Sequence, residues 1–276
     1  MKKILVPCDF TSTSNQAFRF ACEIAKKNKA ELFLLHVVEM PVLHSSLMAP
    51  VFAYESSYLK GVKAKVNSIF ENMKSKWGAK LKIHLAVEHG PISASIKKFV
   101  LKKGINLIVM GTHGSSGIRE FTIGSNTEKI VRTSSVPVIA VKKAMNVPSV
   151  KNIIFPTDLS IGSKDMINAL KVLQNLFKAK LQIITVNTPL NFNSNSVIQK
   201  RFQEFIQQTQ LKNYQFVVYN DVTEELGITN FTAQQKNKII AMPTHGRRGL
   251  SHLLSGSIAE NVVNHIDCPI WTYREA

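Results

Sequence analysis

The chain has 276 residues, 45% of them hydrophobic, with 35 Lys and Arg against 18 Asp and Glu, a formal net charge of +17. That length holds two domains of ordinary size with real cores, and no apolar run approaches the ~20 residues that span a bilayer. Three cysteines (Cys8, Cys22, Cys268) form no CxxC pair and eight histidines show neither HxxxH nor HExxH spacing, which argues against a disulfide framework and a built-in zinc site.

Met1-Lys2-Lys3 and Ile4-Leu5-Val6 imitate the start of a signal peptide. Pro7 and Asp9 stop that apolar stretch too early, so a cytoplasmic protein without a membrane partner is expected. The positive charge favours anionic ligands, nucleic acid or acidic surfaces. Its lysines are scattered, with no RNP-type aromatic motif or Arg-rich arm, so nucleic acid is not the expected partner.

In chain order, the pattern predicts a strand at Lys3–Val6 and a helix at Thr11–Asn28, with Thr11, Ser12 or Thr13 as N-cap. A strand at Glu31–Val38, a helix at Tyr58–Trp77 closed by Gly78, and a strand at Lys80–Val87 follow. A helix at Ile92–Lys102 ends at Gly104, then come a strand at Leu107–Met110, a helix at Ser125–Thr133 and a strand at Val136–Val141. After a linker at Lys142–Val150, the same alternation runs through Asn152–Phe155, Lys164–Phe177, Leu181–Val186, Val197–Gln210, Gln215–Tyr219, Thr223–Gln235, Lys238–Met242, Ser257–Asn264 and Pro269–Thr272. The stretch from Met40 to Tyr58 reads as a long loop, a lid or partner surface absent from the second half.

Apolar strands alternating with helices predict parallel sheets covered on both faces, hence an α/β, doubly wound fold in each half. The expected division is residues 1–144 and 150–276. Ile4-Leu5-Val6-Pro7-Cys8-Asp9-Phe10-Thr11 is matched by Ile153-Ile154-Phe155-Pro156-Thr157-Asp158-Leu159-Ser160, an offset of 149 residues. Met110-Gly111-Thr112-His113-Gly114 with Gly124-Ser125 is matched by Met242-Pro243-Thr244-His245-Gly246 with Gly256-Ser257, an offset of 132, so the second half is 17 residues shorter between these blocks. The terminal strands of the halves would otherwise be bare edges. They are the expected contact of a pseudo-dimer.

In such a sheet a ligand sits beyond the carboxyl ends of the strands at the switch point. There Asp9 follows the first strand, Val37 ends the second, and glycines at 111, 114 and 124 flank the fourth. Glycine turns let main-chain N–H groups approach an anion, and the helix opening at Ser125 attracts phosphate through free donors and its dipole. Asp9 could equally serve the entry to the following helix.

The spacing G-x2-G-x9-G-S, with Pro-x-Asp after the first strand, resembles the universal stress protein family, over nearly the whole chain as a tandem pair. The resemblance implies strand order 3-2-1-4-5 in each half, and ATP, with or without Mg2+, as ligand of the first half. Adenine and ribose would meet Pro7, Cys8, Asp9, Thr11, Val37 and Met110. The phosphates would meet Gly111, His113, Gly114, Gly124, Ser125, Asn126 and Thr127. In the second half Asp158, Val186, His245, Gly246, Gly256 and Ser257 match, whereas Pro243 removes an N–H. The implied role is a nucleotide-dependent stress regulator acting on an unidentified protein partner, with room for a homodimer of the tandem chain. A slow ATPase or nucleotide-transfer enzyme, with His113 as its candidate base, and a nucleotide-independent scaffold are the alternatives.

Overall fold

The computed structural model describes residues 2–39, 48–112, 124–142, 149–243 and 266–274. The first half contains β1 (Lys3–Pro7), α1 (Ser12–Asn28), β2 (Glu31–Val38), α2 (Met48–Met73), β3 (Ile83–His89), α3 (Ile92–Lys103), β4 (Leu107–Gly111), α4 (Ser125–Thr133) and β5 (Val138–Val141). The second contains β6 (Asn152–Pro156), α5 (Lys164–Phe177), β7 (Lys180–Asn187), α6 (Asn195–Thr209), β8 (Tyr214–Asn220), α7 (Glu224–Gln234), β9 (Lys238–Ala241) and β10 (Ile270–Thr272). The expected helix at Ser257–Asn264 lies outside the described residues.

The strands form one sheet in the order β3-β2-β1-β4-β5-β10-β9-β6-β7-β8. Each half therefore has the expected 3-2-1-4-5 order, and the expected terminal strands make the contact. β5 and β10 pair antiparallel, with Trp271 opposite Ile139. The other ladders among the described residues are parallel, including β1 with β2 and β4, and β6 with β7 and β9.

Alternation along each strand divides its side chains between two helix layers. On one face, Ile4, Val6, Leu107 and Val109 join Ala17, Phe20 and Ile24 of α1, and this core runs on through Trp271 to Leu170, Leu173 and Phe177 of α5. Phe20 and Phe177 bring their rings to 6.2 Å across the seam, and Lys27 Nζ donates to the Phe177 carbonyl at 3.0 Å. The other face carries two separate cores, one under α3 and α4 and one under α7.

Local chemistry sets the helix ends. Thr11 caps α1 by accepting from Ser14 N, and Lys29 closes it in the left-handed region at φ 51°. Gly104 closes α3 at φ 63°. Of the stretch from Met40 to Tyr58 expected as a loop, residues 40–47 lie outside the described residues, and from Met48 onward the chain is helical instead. Pro50 falls within the first described turn of this helix, a place where proline is tolerated when the N–H it lacks would have no partner. The far end differs too. α2 gives way at Lys74 to a π-helical turn ending at Gly78, where an added Cβ would lie 2.3 Å from Ile83 Cδ1.

Candidate functional site

At the carboxyl ends of the first-half strands is a solvent-open crevice of about 670 Å³. The structure brings together there Pro7, Cys8, Asp9, Val37, Met110, Gly111, Gly124, Ser125, Asn126 and Thr127 of the expected residues. His113 and Gly114 lie outside the described residues. Thr11 is not in the lining; its hydroxyl serves the α1 cap. Sequence reasoning missed Ser14, Leu35, Ile92 and Ile96. The last two project from the first turns of α3, and their i, i+4 spacing straight after Gly90-Pro91 was the available signal.

The floor is built by β1 and its neighbours. Cys8 N donates to Leu35 O at 2.9 Å, keeping the chain in register one residue beyond β1. His36 Nδ1 lies 2.8 Å from Cys8 O; the carbonyl can only accept, so Nδ1 carries a proton. The His36 ring packs against Phe10, centroids 5.0 Å apart. Burial pushes the Cys8 thiol up to about 11, and its Sγ lies 3.4 Å from Ser14 Oγ. It is a wall, not a nucleophile.

Asp9 is held in a turn. Its Oδ1 accepts from Thr11 N at 3.1 Å and from Thr11 Oγ1 at 2.6 Å, across Phe10 at φ 64°. The second half repeats this device: Asp158 Oδ1 accepts from Ser160 N and Oγ, across Leu159 at φ 66°. The carboxylate thus has a structural duty in both halves, and Asp9 is exposed at the crevice besides.

The two glycines of the described motif have different duties. Gly111 is not in the left-handed region; a Cβ there would lie 2.8 Å from Thr13 C and 2.9 Å from Ser14 N and Thr13 O. The glycine lets β4 abut the first turn of α1. In the second half Pro243 takes that position, Gly162 takes the place of Thr13, and α5 opens only at Lys164, three residues later than the α1 register. The turn that crowds Gly111 in the first half thus has no helical counterpart in the second.

Gly124 is the N-cap of α4, with φ −61° and ψ 144°, and supplies no side-chain cap. Its own N–H donates to Thr112 O at 2.6 Å, and Thr127 Oγ1 donates to Gly111 O at 2.8 Å, tying α4 to the end of β4. The N–H groups of Ser125, Asn126 and Thr127 have no acceptor within the helix, and all three residues line the crevice. An apolar slot between Val37, Ile92, Ile96 and Met110 thus ends at donors that favour negative charge.

The second half has its own crevice, of about 1290 Å³, reached by Pro156, Thr157, Asp158, Val186, Arg201, Glu224 and Ile228. Glu224 stands where the first half has Ile92, so an apolar wall has become acidic. His245, Gly246, Gly256 and Ser257 lie outside the described residues. Among the described residues no helix is long and apolar enough to cross a membrane, and no group of three or more His, Cys, Asp or Glu converges as metal ligands would.

A sheet of two 3-2-1-4-5 halves, each with its crevice at the switch point, defines a tandem, doubly wound α/β protein. The family model for the universal stress protein family matches residues 1–142 and again 149–274, and the chain belongs to that family. It is 32% identical over 142 residues to universal stress protein MJ0531 of Methanocaldococcus jannaschii, covering 51% of this chain and 82% of that protein. It is 30% identical over 145 residues to YxiE of Bacillus subtilis, covering 51% of this chain and 98% of that one. A universal stress protein from Archaeoglobus fulgidus has the same fold throughout, with a TM-score of 0.76 at 18% identity, covering 99% of this chain and 98% of its own.

Proposed function

We propose that the first-half crevice binds an adenine nucleotide, ATP above all, and that the protein acts as a nucleotide-dependent regulator in stress. The base would enter the slot between Val37, Ile92, Ile96 and Met110. The polyphosphate would meet the amides of Ser125, Asn126 and Thr127. The observation that carries this reading is the opening turn of α4, whose N-cap Gly124 supplies no side-chain cap and whose first three residues line the crevice. The net charge of +17 adds long-range attraction for a polyanion. Any Mg2+ would arrive with the nucleotide, since Asp9 is the one carboxylate among the described lining residues and its Oδ1 already serves the turn.

Titration calorimetry with Mg-ATP on the wild type and on Ser125→Pro tests this. Proline is favoured at the first helical position and removes one amide donor without breaking the helix. Gly124 already has the extended backbone that a following proline requires. A charge-assisted hydrogen bond of about 1.5–3 kcal/mol predicts affinity lower by roughly 10- to 100-fold. Undiminished binding by Ser125→Pro would remove α4 from the site.

A further inference from the structure

The two outer strands of the sheet are protected unequally. β3 and β8 end the strand order, and an end strand presents unpaired N–H and C=O groups that invite another strand. β3 carries His84, Glu88 and His89 and follows Lys82, which is bridged to Glu31; charge keeps that edge solvated. β8 reads Tyr-Gln-Phe-Val-Val-Tyr-Asn. It has no charge, glycine or proline, and all but Gln215 and Asn220 are β-branched or aromatic, a composition that pairs readily.

The ladder fixes which groups are free. Leu181 N donates to Asn213 O and Asp221 N to Asn187 O, so Gln215, Val217 and Tyr219 aim their main-chain groups at β7. Tyr214, Phe216, Val218 and Asn220 aim theirs outward, where β8 has no neighbouring strand among the described residues. Lys212 stands before the strand and Asp221 after it. Antiparallel pairing of two copies sets these unlike ends together; parallel pairing would oppose like charges. The chain already makes one such contact internally, where the uncharged strands Val-Ile-Ala-Val and Ile-Trp-Thr pair antiparallel at the seam.

We propose that the outer edge of β8 is a self-association surface, on which β8 of a second copy adds antiparallel about a two-fold at Val217. In that register Phe216 faces Val218 of the other copy, and Tyr214 faces Asn220, as hydrogen-bonded pairs. Val217 faces its own counterpart across a non-hydrogen-bonded pair, with Cα atoms about 4.5 Å apart, within disulfide reach.

Sedimentation velocity of the full chain across micromolar concentrations should show a dimer. Its fraction should rise with salt, because the repulsion between two copies of net charge +17 outweighs the exposed Lys212–Asp221 pairings at the ends of an otherwise uncharged contact. Val217→Cys should cross-link under mild oxidation, and Val218→Cys should not. The native cysteines are buried and give little background. Asn220→Pro removes an outward N–H and keeps the ladder to β7, so it should weaken the dimer by roughly tenfold or more, two hydrogen bonds being lost per dimer. A wild type that stays monomeric, Val217→Cys cross-linking no faster than Val218→Cys, or a dimer indifferent to Asn220→Pro would each overturn the proposal. If a cysteine variant misfolds, sedimentation of the wild type and of Asn220→Pro decides.

Discussion

Replacing Gly111 by alanine tests how β4 is fitted to α1. The new Cβ would stand 2.8 Å from Thr13 C and 2.9 Å from Ser14 N and Thr13 O, all main-chain atoms that no rotamer change can move. Ordinary contact needs a further half ångström or so, which the first turn of α1 must supply by shifting as a unit. Overpacking of this kind costs about 1–3 kcal/mol. At roughly 2–4 °C per kcal/mol for a chain near this size, the melting temperature should fall by roughly 2–12 °C. Gly61→Ala is the internal control: that glycine lies within α2 with nothing within 4 Å of its added Cβ, so alanine should stabilise by up to ~1 kcal/mol. Thermal unfolding by circular dichroism reads both variants. Since the shifted turn carries Thr11 and Ser14, ATP titration should show weaker binding by Gly111→Ala alone. Equal melting temperatures for Gly111→Ala and wild type would mean that α1 yields freely, and the close-approach account of this glycine would be wrong.

Thr127→Val leaves Gly111 O without its 2.8 Å donor in a buried setting, and should cost about 1–3 kcal/mol by chemical denaturation; no change in midpoint would show that water replaces the hydroxyl. Asp9→Ala and Asp158→Ala should each lose about 1 kcal/mol with the turn they hold, but only Asp9→Ala should weaken nucleotide binding, so equal effects on binding would deny the first-half carboxylate any part in the site. Burial pushes Cys22 and Cys268 up to about 12 and Cys8 to about 11. The folded chain thus holds thiol protons more tightly than the unfolded one. Stability from this source is complete at neutral pH and is lost as pH rises from ~8.5 through the folded values, by up to ~1.4 kcal/mol per pH unit per thiol. Urea midpoints that fall no less steeply in Cys22→Ala than in wild type above pH 9 would contradict this. Trp271→Ala, emptying a fully buried site in the core common to both halves, should cost about 3–5 kcal/mol and lower one cooperative transition; two separated transitions by calorimetry would show that the halves unfold independently.

Strong local signals read well from the sequence. α4 begins at Ser125 and ends at Thr133 as its apolar spacing predicts, and α5 runs from Lys164 to Phe177 likewise. The seam between β5 and β10 followed from the need to cover two bare edges. Long-range packing was not readable in the same way. Gly111, expected at the phosphates, also abuts α1, and a glycine after a strand carries the same letter whether it approaches a ligand or a helix. Only the position of Thr13 and Ser14, nearly a hundred residues earlier, identifies the close approach. The contact of His36 with Cys8 O similarly joins two strands that sequence keeps apart. The early start of α2 was hidden by Pro41, Pro50 and a run of large apolar residues that suit a loop and a first helical turn equally.

The antiparallel seam has a geometric consequence for the two crevices. Strands of the two halves run in opposite directions, so their carboxyl ends, and the crevices built on them, open at opposite rims of the molecule. A single globular partner that docks over one mouth leaves the other accessible. Among the described residues, the apolar core packed beneath α1 and α5 is what joins the two lobes between those mouths.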